Sequence, residues 1–260
     1  LREQGLLRIE VRGRMLLPTD LRIPATVQGV LAARIDRLPP DEKALLQTLA
    51  VIGKEFSLRL LKYVVDQPED DLLRQLARLQ ASEFIYERPA FPDIEYTFKH
   101  ALTQEVAYNS LLIERRKTVH QRAAKALEDL YRYKLDDRYS ELAHHYSRSG
   151  DTQKAVDYLQ LAGQQASQQS AYEEAITHLT AALELLAALP DSPTRRQQEL
   201  MLQISLGATL MTPRGYGALE TKNAFTRAWE LCQQVGETAQ IGPVLWALSL
   251  FYRMAGYHHL

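Results

Sequence analysis

The second half of the chain repeats itself, and this self-similarity restricts the fold more than any other feature. Leu142-Ala143-x-x-Tyr146-x-x-x-Gly150 returns as Leu248-Ser249-x-x-Tyr252-x-x-x-Gly256. A second pattern, Ala155-x-x-x-Leu159-x-x-Ala162, returns as Ala175-x-x-x-Leu179-x-x-Ala182 and, with threonine first, as Thr221-x-x-x-Phe225-x-x-Ala228. All are spaced for helix faces. A small residue beside leucine lets two helices approach closely, tyrosine one turn on fills the gap, and glycine ends the helix because it accepts a left-handed backbone. A helix pair of this kind leaves an apolar face that only its neighbour covers. The pattern therefore predicts a stacked right-handed array with a concave groove over residues 139–260. The intervals are uneven, Pro190-Asp191-Ser192-Pro193 separates a helix over 175–189 from its successor, and Thr212–Gly217 reads as a wide loop.

The first half is organised around Tyr96–Leu112. Phe84-Ile85-Tyr86-Glu87-Arg88 and Glu95-Tyr96-Thr97-Phe98 alternate as two short strands, with Pro89, Pro92 and Asp93 turning the chain between them. Beyond them the period becomes helical, with Leu102, Val106, Leu111 and Leu112 spaced for one face. Lys99 and His100 stand where strand hands over to helix. Upstream, a loose hairpin over Gly5–Leu17 precedes Ile23-Pro24, and Thr26 is a suitable N-cap for a helix over 27–38 whose apolar stripe is Val27, Val30, Leu31, Ile35 and Leu38.

Pro39-Pro40-Asp41 opens the next helix and Gly53 closes it, with Leu45, Leu46, Leu49 and Ile52 inward and Phe56 at the base of the core. Helices over 57–65 and 69–81 follow, the latter burying Leu72, Leu73, Leu76 and Leu79. Three helices and a two-stranded wing make a small winged-helix domain. The expected fold class is thus mainly α, a winged helix followed by a helical solenoid. The expected division is a lid remnant or hairpin over 1–24, a linker helix and winged helix over 25–112, a connecting helix over 113–138 and the repeats over 139–260.

Composition removes several functions. The 260 residues carry a net charge of −1, so no global field attracts nucleic acid. The third helix begins Glu69-Asp70-Asp71 and offers outward only Arg74 and Arg78, too few cations for a DNA groove. Nucleic acid is therefore not the expected partner. No run of about 18 apolar residues spans a membrane, the N-terminus lacks signal-peptide order, and the single Cys232 forms no internal disulfide framework. These features predict a cytoplasmic protein without a membrane partner, and a start at Leu1 without methionine suggests a piece of a longer chain.

Three segments together carry a resemblance. They are Ile23-Pro24-Ala25-Thr26-Val27-Gln28-Gly29-Val30-Leu31-Ala32-Ala33-Arg34-Ile35-Asp36-Arg37-Leu38-Pro39, the Val51-Ile52-Gly53-Lys54-Glu55-Phe56 helix ending, and Tyr96-Thr97-Phe98-Lys99-His100-Ala101-Leu102-Thr103-Gln104-Glu105-Val106-Ala107-Tyr108. They resemble the region after the ATPase core of STAND-type signal-transduction ATPases. The nearest likeness is to bacterial chains joining a class III adenylate/guanylate cyclase, an origin-recognition-like AAA ATPase and tetratricopeptide repeats (TPR), whose two helices the templates above match. The resemblance implies that the winged helix folds over ADP at rest, with His100, beside Lys99, touching the phosphates. It further implies ATP or ADP as cofactor of the parent protein and an upstream NTPase core in the same chain as partner. No Gly-x-x-x-x-Gly-Lys-[Ser/Thr] phosphate loop and no cyclase metal carboxylates occur in these residues, so catalytic parts would precede Leu1 and this segment binds no nucleotide alone.

Other candidates are weaker. The run Ile113–Arg122 is the most basic segment, fit for phosphate, nucleic acid or an acidic domain, or for a solvated face. His120 reads as a packing residue, since no second ligand has metal-site spacing around it. His144 and His145, adjacent on one helix, face different directions and cannot share a metal comfortably. One of them points into the groove, where His144 and Arg148 are the candidate contacts for a protein or small-molecule effector. The expected function is a regulatory segment that senses nucleotide through the winged helix and binds a partner through the repeats. A transcription regulator with a DNA-binding domain and a nucleotide-independent scaffold are the rival expectations.

Overall fold

Punctuation in the sequence sets the helix boundaries of the computed structural model, which describes residues 25–89, 93–236 and 239–254. The hairpin expected within residues 1–24 and the repeat glycine at 256 lie outside the described residues. Pro40 opens α2 (Pro40–Ile52) from its first turn, where a missing N–H costs nothing, and Gly53 ends it by returning its N–H to the Leu49 carbonyl. Ser57 caps α3 (Leu58–Val64) by accepting from the Leu60 amide at 3.1 Å. Then α4 spans Glu69–Ala81 with three carboxylates in its first turn, favourable at the positive end of its dipole.

The small sheet has three antiparallel strands in the order β1-β3-β2: β1 (Glu55–Ser57), β2 (Ile85–Pro89) and β3 (Ile94–Phe98). Two strands were expected. The third is too short to show alternation, and it is held by Phe56, whose ring stacks on Tyr96 and meets Phe98 edge-on. Phe98 also donates its amide to the Lys54 carbonyl at 3.1 Å. Next come α5 (Ala101–Asn109) and α6 (Ile113–Leu130), the latter followed by a 3-10 turn at Leu135–Arg138.

Three expected faces differ. The first helix, α1 (Ala25–Asp36), starts before Thr26, which is therefore no N-cap, and Val27 and Val30 are exposed. It packs on α5 and is anchored at its far end by buried Ile35 and by Arg34, which lies over the Phe84 ring and donates to the Ser82 carbonyl. Leu73 of α4 is exposed while Leu72, Leu76 and Leu79 are buried, because four leucines span more of the helix than one core face covers. Leu112 is 80% exposed, since the chain breaks after α5 and Leu112 becomes the N-cap of α6 instead of continuing the stripe.

The remaining helices are α7 (Tyr139–Ser149), α8 (Thr152–Gln168), α9 (Tyr172–Ala187), α10 (Pro193–Arg214), α11 (Leu219–Val235) and α12 (Ile241–Met254). From α6 to α12 each packs on the next in chain order. Gly150 ends α7 in the left-handed conformation, and the Asp151 side chain then caps α8. The loop expected at 212–217 is shorter, because α10 continues through Pro213. That proline sits in the last turn, and Gly215 donates past it to the Met211 carbonyl. The template residues Leu142, Ala143, Tyr146, Ala155, Leu159, Ala162, Ala175, Leu179, Ala182, Thr221, Phe225 and Ala228 are buried, whereas in the last copy Leu248 and Tyr252 are half-buried and Ser249 is exposed. A core that begins with Ile35 runs without interruption into Leu142, Tyr146 and Ala155, so the sheet-bearing region and the first array helices share one interior. Among the described residues no helix is long and apolar enough to cross a membrane.

Candidate functional site

The chain leaves α4 through Glu83, a non-glycine residue at φ 61°. This turn aims its carboxylate at Lys99, which it meets at 3.0 Å. The Lys99 hydrogen bond, and then its charge, hold the Glu83 carboxyl below its ordinary range. The Lys99 amide donates to the Phe84 carbonyl, fixing the end of β3 against the start of β2. His100 follows in extended backbone (φ −137°, ψ 135°), exposed, with its carbonyl accepting from Thr103. Its side chain does not cap α5, and the first turn of α5 contains no acidic residue. The positive end of α5 and an imidazole therefore face solvent together, a combination suited to an anion. Of the two sequence candidates, Lys99 is engaged by Glu83, whereas His100 makes no side-chain hydrogen bond among the described residues and acts on the Glu83 carboxylate only through its charge.

At the other end of α5 is a cluster that spacing along the chain concealed. Tyr108 Oη lies 3.2 Å from Nε2 of His120, a fully buried residue of α6, and His120 Nδ1 lies 2.9 Å from Nδ1 of buried His145 on α7. Burial first, then cationic neighbours, push both imidazoles down to about 3. Both rings are neutral at ordinary pH. His120 is fully buried, as a packing residue would be, and its histidine neighbour comes from α7, twenty-five residues along the chain. Among the described residues no group of three or more His, Cys, Asp or Glu is arranged to hold a metal.

His144 and Arg148, the groove candidates, do come together. Arg148 Nη1 meets His144 Nδ1 at 3.1 Å and the His144 carbonyl at 3.2 Å, both residues being exposed on α7 while His145 turns inward. Partial burial and the Arg148 charge lower the His144 pKa.

A second network went unread in the sequence. Lys154 of α8 donates to both Glu128 oxygens of α6 at 2.8 Å and to Tyr146 Oη at 2.9 Å, and Tyr158 donates to Glu128 at 2.8 Å. The rings of Tyr146 and Tyr158 stack within 2° of parallel. Burial opposes ionisation of Glu128, yet hydrogen bonds from Lys154, Tyr146 and Tyr158 outweigh it and leave its carboxyl lowered. Elsewhere, Arg74 pairs with Asp71 and Arg78 with buried Glu42, so the two outward cations of α4 are occupied within the protein.

No protein-family model matches the chain, and no solved structure matches it. Over 222 residues, 84% of its length, it is 26% identical to an uncharacterized protein of Rhizobium meliloti (strain 1021). It spans 22% of the length of that relative.

Proposed function

We propose that this chain is a regulatory and protein-interaction segment of a larger signal-transduction ATPase. In this reading α2, β1, α3, α4, β2 and β3 form a winged helix that senses ATP or ADP held by an upstream NTPase core of the same protein. The helices from α7 onward form a TPR-like array that receives a protein or small-molecule effector near His144 and Arg148, in the cytoplasm. An upstream adenylate cyclase is the output the resemblance implies. The order helix, strand, helix, helix, strand, strand supports the winged-helix reading, and the seating of small residues between successive helices supports the repeat reading.

The observation that carries the nucleotide role is the exposed side chain of His100 at the start of α5, which no side chain caps. An imidazole donates to a phosphate oxygen whether neutral or protonated, and the helix terminus adds partial positive charge. The engaged cations of α4 weigh against DNA as the target. The test is release of ADP from the full-length protein, followed by stopped-flow. Replacing His100 by alanine should remove one charged hydrogen bond, about 1.5–3 kcal/mol, speed ADP release and raise basal signalling. Equal release rates would take His100 out of the mechanism.

A further inference from the structure

The Tyr108, His120 and His145 chain has only one satisfactory arrangement of protons. Two Nδ1 atoms at 2.9 Å need one N–H between them. If His145 were the donor, its Nε2 would be a bare acceptor, buried and without a partner, facing only the Ile52 carbonyl at the end of α2. If His120 donates instead, its Nε2 accepts from Tyr108 Oη, and His145 Nε2–H points toward the region of that carbonyl. The second arrangement pairs donor with acceptor from Tyr108 through His120 to His145 Nδ1 and leaves the His145 Nε2–H without a hydrogen-bond partner among the described residues. It links α5, α6 and α7 through two neutral rings.

One further proton can be held on His120 Nε2, because the Tyr108 hydroxyl can turn to accept from it, but a second cannot be accommodated. It would set two N–H groups against each other across 2.9 Å, with the positive charge surrounded by Arg116 of α6 and by His144 and Arg148 of α7. The carboxylates of the adjoining elements are paired with other cations, line a groove or are exposed. Glu128 is held by Lys154, Glu141 by Arg138 and Glu114 by Lys117, while Asp41 of α2 and Asp66 after α3 line a groove with Arg115 and Arg122. Glu105 of α5 and Asp129 of α6 are exposed.

We propose that Tyr108, His120 and His145 form a proton-sensitive latch that holds α5 and α6 against α7 and releases that seam when the two imidazoles are protonated. Because the core crosses this seam, opening it frees the array from the sheet-bearing region. The latch does not depend on a nucleotide reaching His100.

Nitrogen-15 spectra of the histidine rings in the whole chain, with amide hydrogen exchange between pH 7.5 and 4.5, test this. His120 should be found as the Nδ1–H tautomer and His145 as the Nε2–H tautomer. On acidification the two should charge together as protection in α6 and α7 is lost, while α9 to α12 remain protected. Uptake of two protons on opening makes the opening constant rise by up to about 100-fold for each unit the pH falls, against about tenfold for one proton. The double variant His120→Gln, His145→Gln should lose this acid response. Either ring titrating near its ordinary value with the seam still protected would overturn the proposal, as would simultaneous loss of protection throughout the chain or an unchanged acid response in the double variant. Should that variant fail to fold, the wild-type titration and exchange decide alone.

Discussion

Gly163 of α8 lies so close to Leu179 of α9 that a Cβ on the glycine would fall 2.8 Å from Leu179 Cγ. The same seat recurs between Gly207 of α10 and the ring of Phe225 on α11, again at 2.8 Å. Replacing Gly163 by alanine should destabilise the protein by about 1–3 kcal/mol, because the obstructing atom is the branch point of leucine and the Ala175 carbonyl closes the other side at 3.3 Å. Gly29→Ala, with none of the described residues within 4 Å of the added Cβ, should instead stabilise α1 by up to about 1 kcal/mol. Chemical denaturation of both variants provides the comparison. A stabilised Gly163→Ala would show that α8 and α9 are not packed this tightly.

Overpacking should be felt equally at the repeat alanines. Ala155 and Ala175 are fully buried, so leucine at either position should cost about 1–3 kcal/mol. Gln168 is exposed at the end of α8, and its replacement by alanine should change stability by less than about 0.5 kcal/mol. Equal melting temperatures for the three variants would contradict the packing.

Glu128 and Lys154 should be energetically coupled. Lys154→Met leaves a half-buried carboxylate facing two tyrosine hydroxyls alone, and the loss should be about 1–2 kcal/mol, reduced by the solvent that reaches the lysine. Glu128→Gln combined with Lys154→Met should cost less than the two separate losses added together. A double-mutant cycle measures this, and strict additivity would mean that the contact contributes nothing.

Stability should also fall in mild acid. An unfolded histidine takes its proton near pH 6.5, whereas burial, then His144 and Arg148, hold His120 to about 3, and burial, then His120 and His144, do the same for His145. Between those values the unfolded chain binds more protons, so the stabilisation is complete above pH 6.5 and is lost as pH falls toward 3. The slope is at most about 1.4 kcal/mol per pH unit for each ring. The lowered carboxyl of Glu128 adds a further loss only below its ordinary value of 4.5. Denaturation midpoints at pH 7.5, 6 and 5 should decline for the wild type and decline less for His145→Gln. Flat midpoints over that range would mean that the histidines charge freely in the folded protein.

The junction at Lys99 and His100 was legible because alternation changes to helical spacing within a few residues there. The engagement of Lys99 was not, since it depends on Glu83 adopting a left-handed backbone that glycine would have advertised. One repeat signal was present and unread: Leu206-Gly207-x-x-Leu210 carries the small-after-leucine template in α10, with leucine in place of the tyrosine.

The ends of α2 at Pro40 and Gly53 and of α7 at Gly150, the buried template alanines, and the divergent facing of His144 and His145 are determined by the sequence alone, because capping, periodicity and adjacent-residue geometry act over a few positions. The third strand, the exposed stripe of α1, the Glu128–Lys154 network and the contact between His120 and His145 were decided only by tertiary structure. Each depends on which distant element packs alongside, and desolvation of the two imidazoles exists only once α5, α6 and α7 close around them.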